Sequence, residues 1–77
     1  MDAYEIFLKK ILQTYQERID SGMSKEMAVS FSKEDQLNLA YFNQENVPFY
    51  LDTLETYGYI TRPYIHGFVL TEKALNF

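Results

Sequence analysis

The chain lacks cysteine entirely and has only one histidine, three glycines and two prolines among its 77 residues. Without cysteine it can form neither a disulfide scaffold nor a thiolate zinc site, and it has no cysteine nucleophile. The scarcity of glycine and proline, together with 47% hydrophobic residues, is not the composition of a disordered segment. We therefore expect a folded domain whose function does not use thiol chemistry.

Long apolar runs are also missing. No stretch approaches the roughly 18 residues of a membrane span. The start Met1-Asp2-Ala3-Tyr4-Glu5 lacks the basic residues that begin a signal peptide. The sequence thus predicts a cytoplasmic protein with no membrane association, and its length allows a single domain, residues 1–77.

Side chains that could carry catalysis are sparse. His66 is the only histidine, and its position beside Gly67 in a predicted turn favours a surface residue over a general base. One histidine without cysteine leaves no transition-metal cluster. No serine lies in a nucleophile motif, and there is no glycine-rich phosphate loop. The sequence predicts neither an enzyme nor a protein with a metal or cofactor.

The first segment carries apolar side chains at helical spacing, which predicts a helix over about residues 3–21 that Asp2 caps and Gly22 ends. The stripe is wide enough for two interpretations. It either covers the other helices of the same chain or pairs with a second copy in a homodimer. In the second case the dimerisation residues are Tyr4, Phe7, Leu8, Ile11 and Tyr15.

The middle of the chain predicts two further helices. Residues 28–31 fit a short strand, which we favour, or the end of a helical turn capped by Ser24. The sequence Ser32-Lys33-Glu34-Asp35 is a near-match to the capping box and starts a helix over about 33–41. Apolar spacing then predicts a helix over about 46–57.

After Gly58 the apolar period changes to two. Residues 59–62 and 68–70 are predicted strands of a hairpin, and Thr71 caps a short final helix. The fold class is therefore α+β.

Two stretches resemble a known family. The run from Asn46 to Ile60, with two leucines three apart and then Gly-Tyr-Ile, resembles the recognition helix and first wing strand of winged helix-turn-helix domains. Residues 67–75 are similar to the second wing strand and its Leu-Thr-Glu-Lys-Gly ending, although Ala74 stands where glycine is usual. Small winged-helix proteins of bacteria and phages are the nearest likeness. The resemblance implies a three-helix core, a helix-turn-helix over about 33–57, a β-hairpin wing over about 59–70 and a short final helix.

The commonest role of that family is transcription regulation, with one helix in the major groove of duplex DNA and the wing on its backbone. Carried over by position, the contacting residues would be Gln44, Glu45, Pro48, Phe49 and Asp52, with Arg62 and His66 on the wing.

The distribution of charge opposes this role. The net charge is −4 overall, and by segment it is −1 over residues 1–22, −4 over 23–57 and +1 over 58–77. Phosphate contacts require positive charge, yet the helix expected to read DNA has acids and no base. Two hypotheses follow: a DNA-binding regulator, or an acidic module that binds a basic protein as adaptor, inhibitor or DNA mimic. In the second, Phe49 is the candidate anchor.

Overall fold

The computed structural model describes residues 2–38, 45–63 and 67–77. These residues form five helices and a three-stranded sheet, so the α+β class is confirmed. In chain order the elements are α1 (Ala3–Asp20), α2 (Lys25–Ala28), β1 (Ser30–Ser32), α3 (Lys33–Asn38), α4 (Val47–Thr56), β2 (Ile60–Thr61), β3 (Gly67–Leu70) and α5 (Glu72–Leu75). Residues 39–41, at the end of the second predicted helix, lie outside the described residues.

Helix α1 begins and ends where its sequence indicates. The N–H of Asp2 donates to the Glu5 carboxylate, with 3.2 Å between nitrogen and oxygen. At the other end Gly22 has a φ of 98°, and the N–H groups of Gly22 and Met23 donate to carbonyls of the last turn. This left-handed ending is favourable for glycine because it has no Cβ. None of the helices in the described part of the chain is long and apolar enough to cross a membrane.

Both interpretations of residues 28–31 occur, one after the other. The Ser24 hydroxyl accepts from the N–H of Met27 at 3.3 Å and caps α2, and β1 starts two residues later than expected. The next helix has the predicted reciprocal cap. The Ser32 N–H donates to the Asp35 carboxylate at 2.8 Å, while the Asp35 N–H donates to the Ser32 hydroxyl at 3.2 Å. Aspartate thus takes the place of glutamate in this capping box.

Helix α4 has Pro48 in its first turn, where no intrahelical hydrogen-bond donor is lost. After its end the chain changes direction at Gly58, which has a φ of 81°. Helix α5 is joined to this end of α4. The Thr71 hydroxyl donates to the Gly58 carbonyl at 2.7 Å, and the Thr71 N–H donates to the Tyr59 carbonyl at 3.1 Å. The end of α4 is therefore fixed by the last part of the chain.

The sheet has the order β1-β3-β2 and is antiparallel throughout. Strand β3 pairs with β2 in the expected hairpin and also with β1, where Phe31 lies opposite Phe68. The sequence placed Gly67 in a turn, but it is the first residue of β3. A Cβ at Gly67 would lie 2.6 Å from the Phe31 carbonyl oxygen, so the close approach of β1 requires glycine there.

One core joins the helices to the sheet. Phe31 and Phe68 stack with ring centroids 4.9 Å apart. The buried side chains of this core are Phe7, Leu8, Ile11, Phe31, Val47, Leu51, Leu54, Ile60, Phe68, Leu70 and Ala74.

The apolar stripe of α1 packs into this core. Phe7, Leu8 and Ile11 have no exposed surface, while Tyr4 and Tyr15 are half-buried against the same cluster. Three of the five expected dimerisation residues therefore have no surface to offer a second copy. Within one chain the stripe covers the other elements, as in the first of the two interpretations, and dimerisation through these residues stays a prediction.

Candidate functional site

Helix α4 has one face in the core and one in solvent. Its buried side chains recur at three- and four-residue spacing, as an amphipathic helix requires. The opposite side, together with Glu45 two residues before the helix begins, is exposed, and we call it the α4 face. Its members are Glu45, Pro48, Phe49, Asp52 and Glu55.

Phe49 stands out on this face. Its side chain is 68% exposed, more than any other large hydrophobic side chain in the described residues. Its ring meets the ring of Tyr50 edge-on with centroids 6.2 Å apart, and Tyr50 packs on Phe7 at 5.4 Å. The Thr53 hydroxyl donates to the Phe49 carbonyl at 2.9 Å. The exposed ring of Phe49 therefore contacts the core through Tyr50.

Arg62, just after β2, reaches back to the α4 face. Its Nη2 lies 2.6 Å from an oxygen of Asp52 and 2.6 Å from an oxygen of Glu55, and its Nε lies 3.2 Å from the same Glu55 oxygen. We call this arrangement the Arg62 clasp. The hydrogen bonds to Glu55 and then to Asp52 raise the pKa of the guanidinium. The acids of α4 are thus partly neutralised by a cation from outside the helix.

The sequence-predicted site residues are brought together only in part. Glu45, Pro48, Phe49 and Asp52 share the α4 face, and Arg62 joins them through the clasp. Gln44 and His66 lie outside the described residues.

Glu55 was not among the predicted site residues, although it holds Arg62 through two of the three hydrogen bonds. Its position three residues after Asp52 places both carboxylates on neighbouring turns of one helix face. That spacing, with a basic residue soon after the following strand, is the signal that could have found it.

Arg18, near the end of α1, makes its contacts within the chain. Its side chain is only 18% exposed, and its Nη1 donates to the Ser30 carbonyl at 2.9 Å. Its Nη2 lies 3.2 Å from a carboxylate oxygen of Asp35, and its guanidinium lies 4.3 Å from the Phe31 ring centroid. Arg18 therefore joins α1, β1 and α3, and it is not available to an external phosphate.

The other cations lie outside α4, and Lys25 and Lys73 have partners elsewhere in the chain. All seven Lys and Arg residues lie in the described part of the chain, and none is on α4 itself. Lys25 pairs with Glu72 at 2.8 Å. Lys73 donates to the Tyr57 carbonyl and lies 4.8 Å from the Tyr59 ring centroid. The three exposed lysines that complete the set are on α1 and at the start of α3: Lys9, Lys10 and Lys33.

Within residues 2–38, 45–63 and 67–77, no three His, Asp or Glu side chains are grouped to hold a metal ion, and no cavity is present. Comparison with protein-family models, curated proteins and solved structures gives no match.

Proposed function

We propose that the chain is a small domain of winged-helix type that binds a protein partner through the α4 face. The proposed arrangement is supported by the order of its elements and by the antiparallel hairpin of β2 and β3 that follows α4. It is the order that the family resemblance, over about residues 30–75, implies.

The observation that carries the proposal is the exposure of Phe49. An aromatic ring that is 68% exposed on a helix costs favourable burial unless it is covered by something else. Aromatic side chains surrounded by polar groups are typical anchors of protein interfaces. The polar residues near Phe49 in the sequence include two exposed acids, Asp52 one turn away and Glu45 two residues before the helix begins. A partner with positive charge around an apolar pocket fits this face.

Binding of duplex DNA by α4 is less well supported. Phosphate contacts supply nearly all of the non-specific affinity of DNA-binding proteins. The base nearest to the face is Arg62, which already contacts two carboxylates. Release of Arg62 to a phosphate would leave Asp52 and Glu55 uncompensated beside the DNA backbone. The family resemblance remains the support for a DNA-binding transcription regulator as the second candidate.

The test compares capture of partners from a lysate of the source cells by tagged wild-type protein and by Phe49→Ala. The matched control is Met27→Ala, since Met27 is 64% exposed but lies on α2. We expect a basic protein that is retained by wild type and Met27→Ala and lost by Phe49→Ala. Equal retention by both variants would contradict the proposal. A shift of duplex DNA at low salt that Arg62→Ala abolishes would favour the second candidate.

A further inference from the structure

The Arg62 clasp lies on the same ridge of α4 as the exposed ring. Phe49, Asp52 and Glu55 follow one another at three-residue spacing, which places their side chains side by side on the helix surface. The guanidinium comes from the residue just after β2 and not from α4. A cation from another part of the chain therefore already occupies the place beside Asp52 and Glu55 that a basic partner would use.

On the basis of the proposed function, we propose that the Arg62 clasp is an autoinhibitory contact. Arg62 competes with an arginine of the partner for Asp52 and Glu55. The partner segment carries that arginine next to an apolar side chain. It binds by covering Phe49 and by replacing the Arg62 guanidinium between the two carboxylates.

The hydrogen bonds of the clasp explain why the partner's cation is an arginine. Arg62 donates from two nitrogens, Nε and Nη2, to carboxylates on two turns of the helix. A guanidinium presents its donors in a fixed planar fork, whereas the ammonium of lysine is a single point of charge. The clasp is thus a geometry that selects arginine.

The competition also explains how the face discriminates between partners. Exchange of one guanidinium for another leaves the number of ion pairs on Asp52 and Glu55 unchanged. Arg62 competes without loss of translational freedom, because it is tethered to the same chain. A segment with positive charge alone therefore gains little, and contact with Phe49 decides whether it binds.

The test removes the competitor and measures binding of a defined probe. Arg62→Met keeps an unbranched apolar side chain in place of the arginine stem and removes the guanidinium. Lys25→Met is the matched control, because it has the same change in charge and also breaks an exposed pair, that with Glu72. The probe is N-acetyl-Phe-Arg-amide, and its uncharged counterpart is N-acetyl-Phe-citrulline-amide. Amide chemical shifts of α4 are followed by NMR during titration.

We expect Arg62→Met to bind the arginine probe about threefold to tenfold more tightly than wild type and Lys25→Met, since exposed ion pairs compete only modestly. The gain should disappear when Asp52→Asn and Glu55→Gln are added, and the citrulline probe should show no gain. If Arg62→Met does not fold, Arg62→Gln replaces it. Folding is checked by circular dichroism.

Two results would overturn the autoinhibitory contact: equal affinities of Arg62→Met and Lys25→Met, or an equal gain for the citrulline probe. These results concern the clasp and leave the capture of a partner through Phe49 intact. Retention of the captured protein by Phe49→Ala would instead overturn the protein-binding function. The two failures are therefore distinguishable.

Discussion

The carboxylate of Asp35 ties the start of α3 to α1, and its removal gives a sharp test of the packing. It accepts from the Ser32 N–H at 2.8 Å and lies 3.2 Å from Nη2 of Arg18. We predict that Asp35→Asn lowers the free energy of unfolding by about 1–2 kcal/mol at pH 7, because it removes the charge from both contacts. The Asp35 side chain is 31% exposed, so the loss stays below the ~3–5 kcal/mol of a fully buried pair.

The effect must depend on pH with a defined sign. Burial by itself raises the pKa of Asp35, but the hydrogen bonds with Ser32 and the charge of Arg18 outweigh it, so the pKa lies below its ordinary value. A carboxyl with a lowered folded pKa contributes stability above its unfolded pKa of about 3.9. That contribution is lost as the pH falls through the folded pKa. Asparagine does not titrate, so the difference in free energy of unfolding between wild type and Asp35→Asn should close below about pH 4.

The assay is urea unfolding followed by far-ultraviolet circular dichroism at pH 7, 5 and 3. With an m value near 1 kcal/mol per M, the predicted loss moves the midpoint by about 1–2 M at pH 7. The matched control is Glu34→Gln, an exposed acid in the same first turn of α3. Its midpoint should move by less than about 0.5 M, because only the interaction with the helix dipole changes.

Two outcomes would refute this reasoning. If the difference in free energy of unfolding between wild type and Asp35→Asn stays constant from pH 7 to pH 3, the charge of Asp35 is not the cause of the lost stability. An equal effect of Glu34→Gln would show that the loss is general to the helix start. In an Arg18→Met background, Asp35→Asn should cost less, because the pair is already broken.

Two further predictions concern the sheet and the stripe of α1. Gly67→Ala should lower the free energy of unfolding by about 2–3 kcal/mol, because the new Cβ meets the Phe31 carbonyl. Gly22→Ala, with no atom within 4 Å of the new Cβ, should cost about 1 kcal/mol in the same measurement. Phe7→Ala should cost about 3–5 kcal/mol. The unfolding midpoint of wild type should not depend on protein concentration; a midpoint that rises with concentration would support the dimer hypothesis.

The long helices could be predicted because their signals are redundant. Helix α1 repeats its apolar stripe over several turns, and Gly22 and Gly58 mark the ends of α1 and α4 independently of that stripe. Residues 28–31 are too few to distinguish the spacing of apolar residues in a helix from the period of two in a strand. Their strand is decided by pairing with β3, since Ser30 lies opposite Val69 far along the chain. No local pattern contains that contact.

The sequence predicted several residues of the candidate site, but not which of them are exposed or paired with one another. Phe49 and Tyr50 are adjacent aromatic residues, and which one is buried depends on where α4 crosses α1. Tyr50 meets Phe7, and Phe49 is left outside. The net charge was summed over segments, which placed Arg62 in a different segment from the acids of α4. In the structure Arg62 contacts Asp52 and Glu55.

The central position of β3 also determines when the domain can form during synthesis. Strands β1 and β2 are hydrogen-bonded to β3 and not to each other, so a nascent chain that ends before residue 67 has no sheet. Pairing of residues 30 and 69 closes a long loop, which is a slow step in folding. Thr71 then fixes the end of α4. The end of α4 can therefore reach this arrangement only after residues up to Thr71 have left the ribosome.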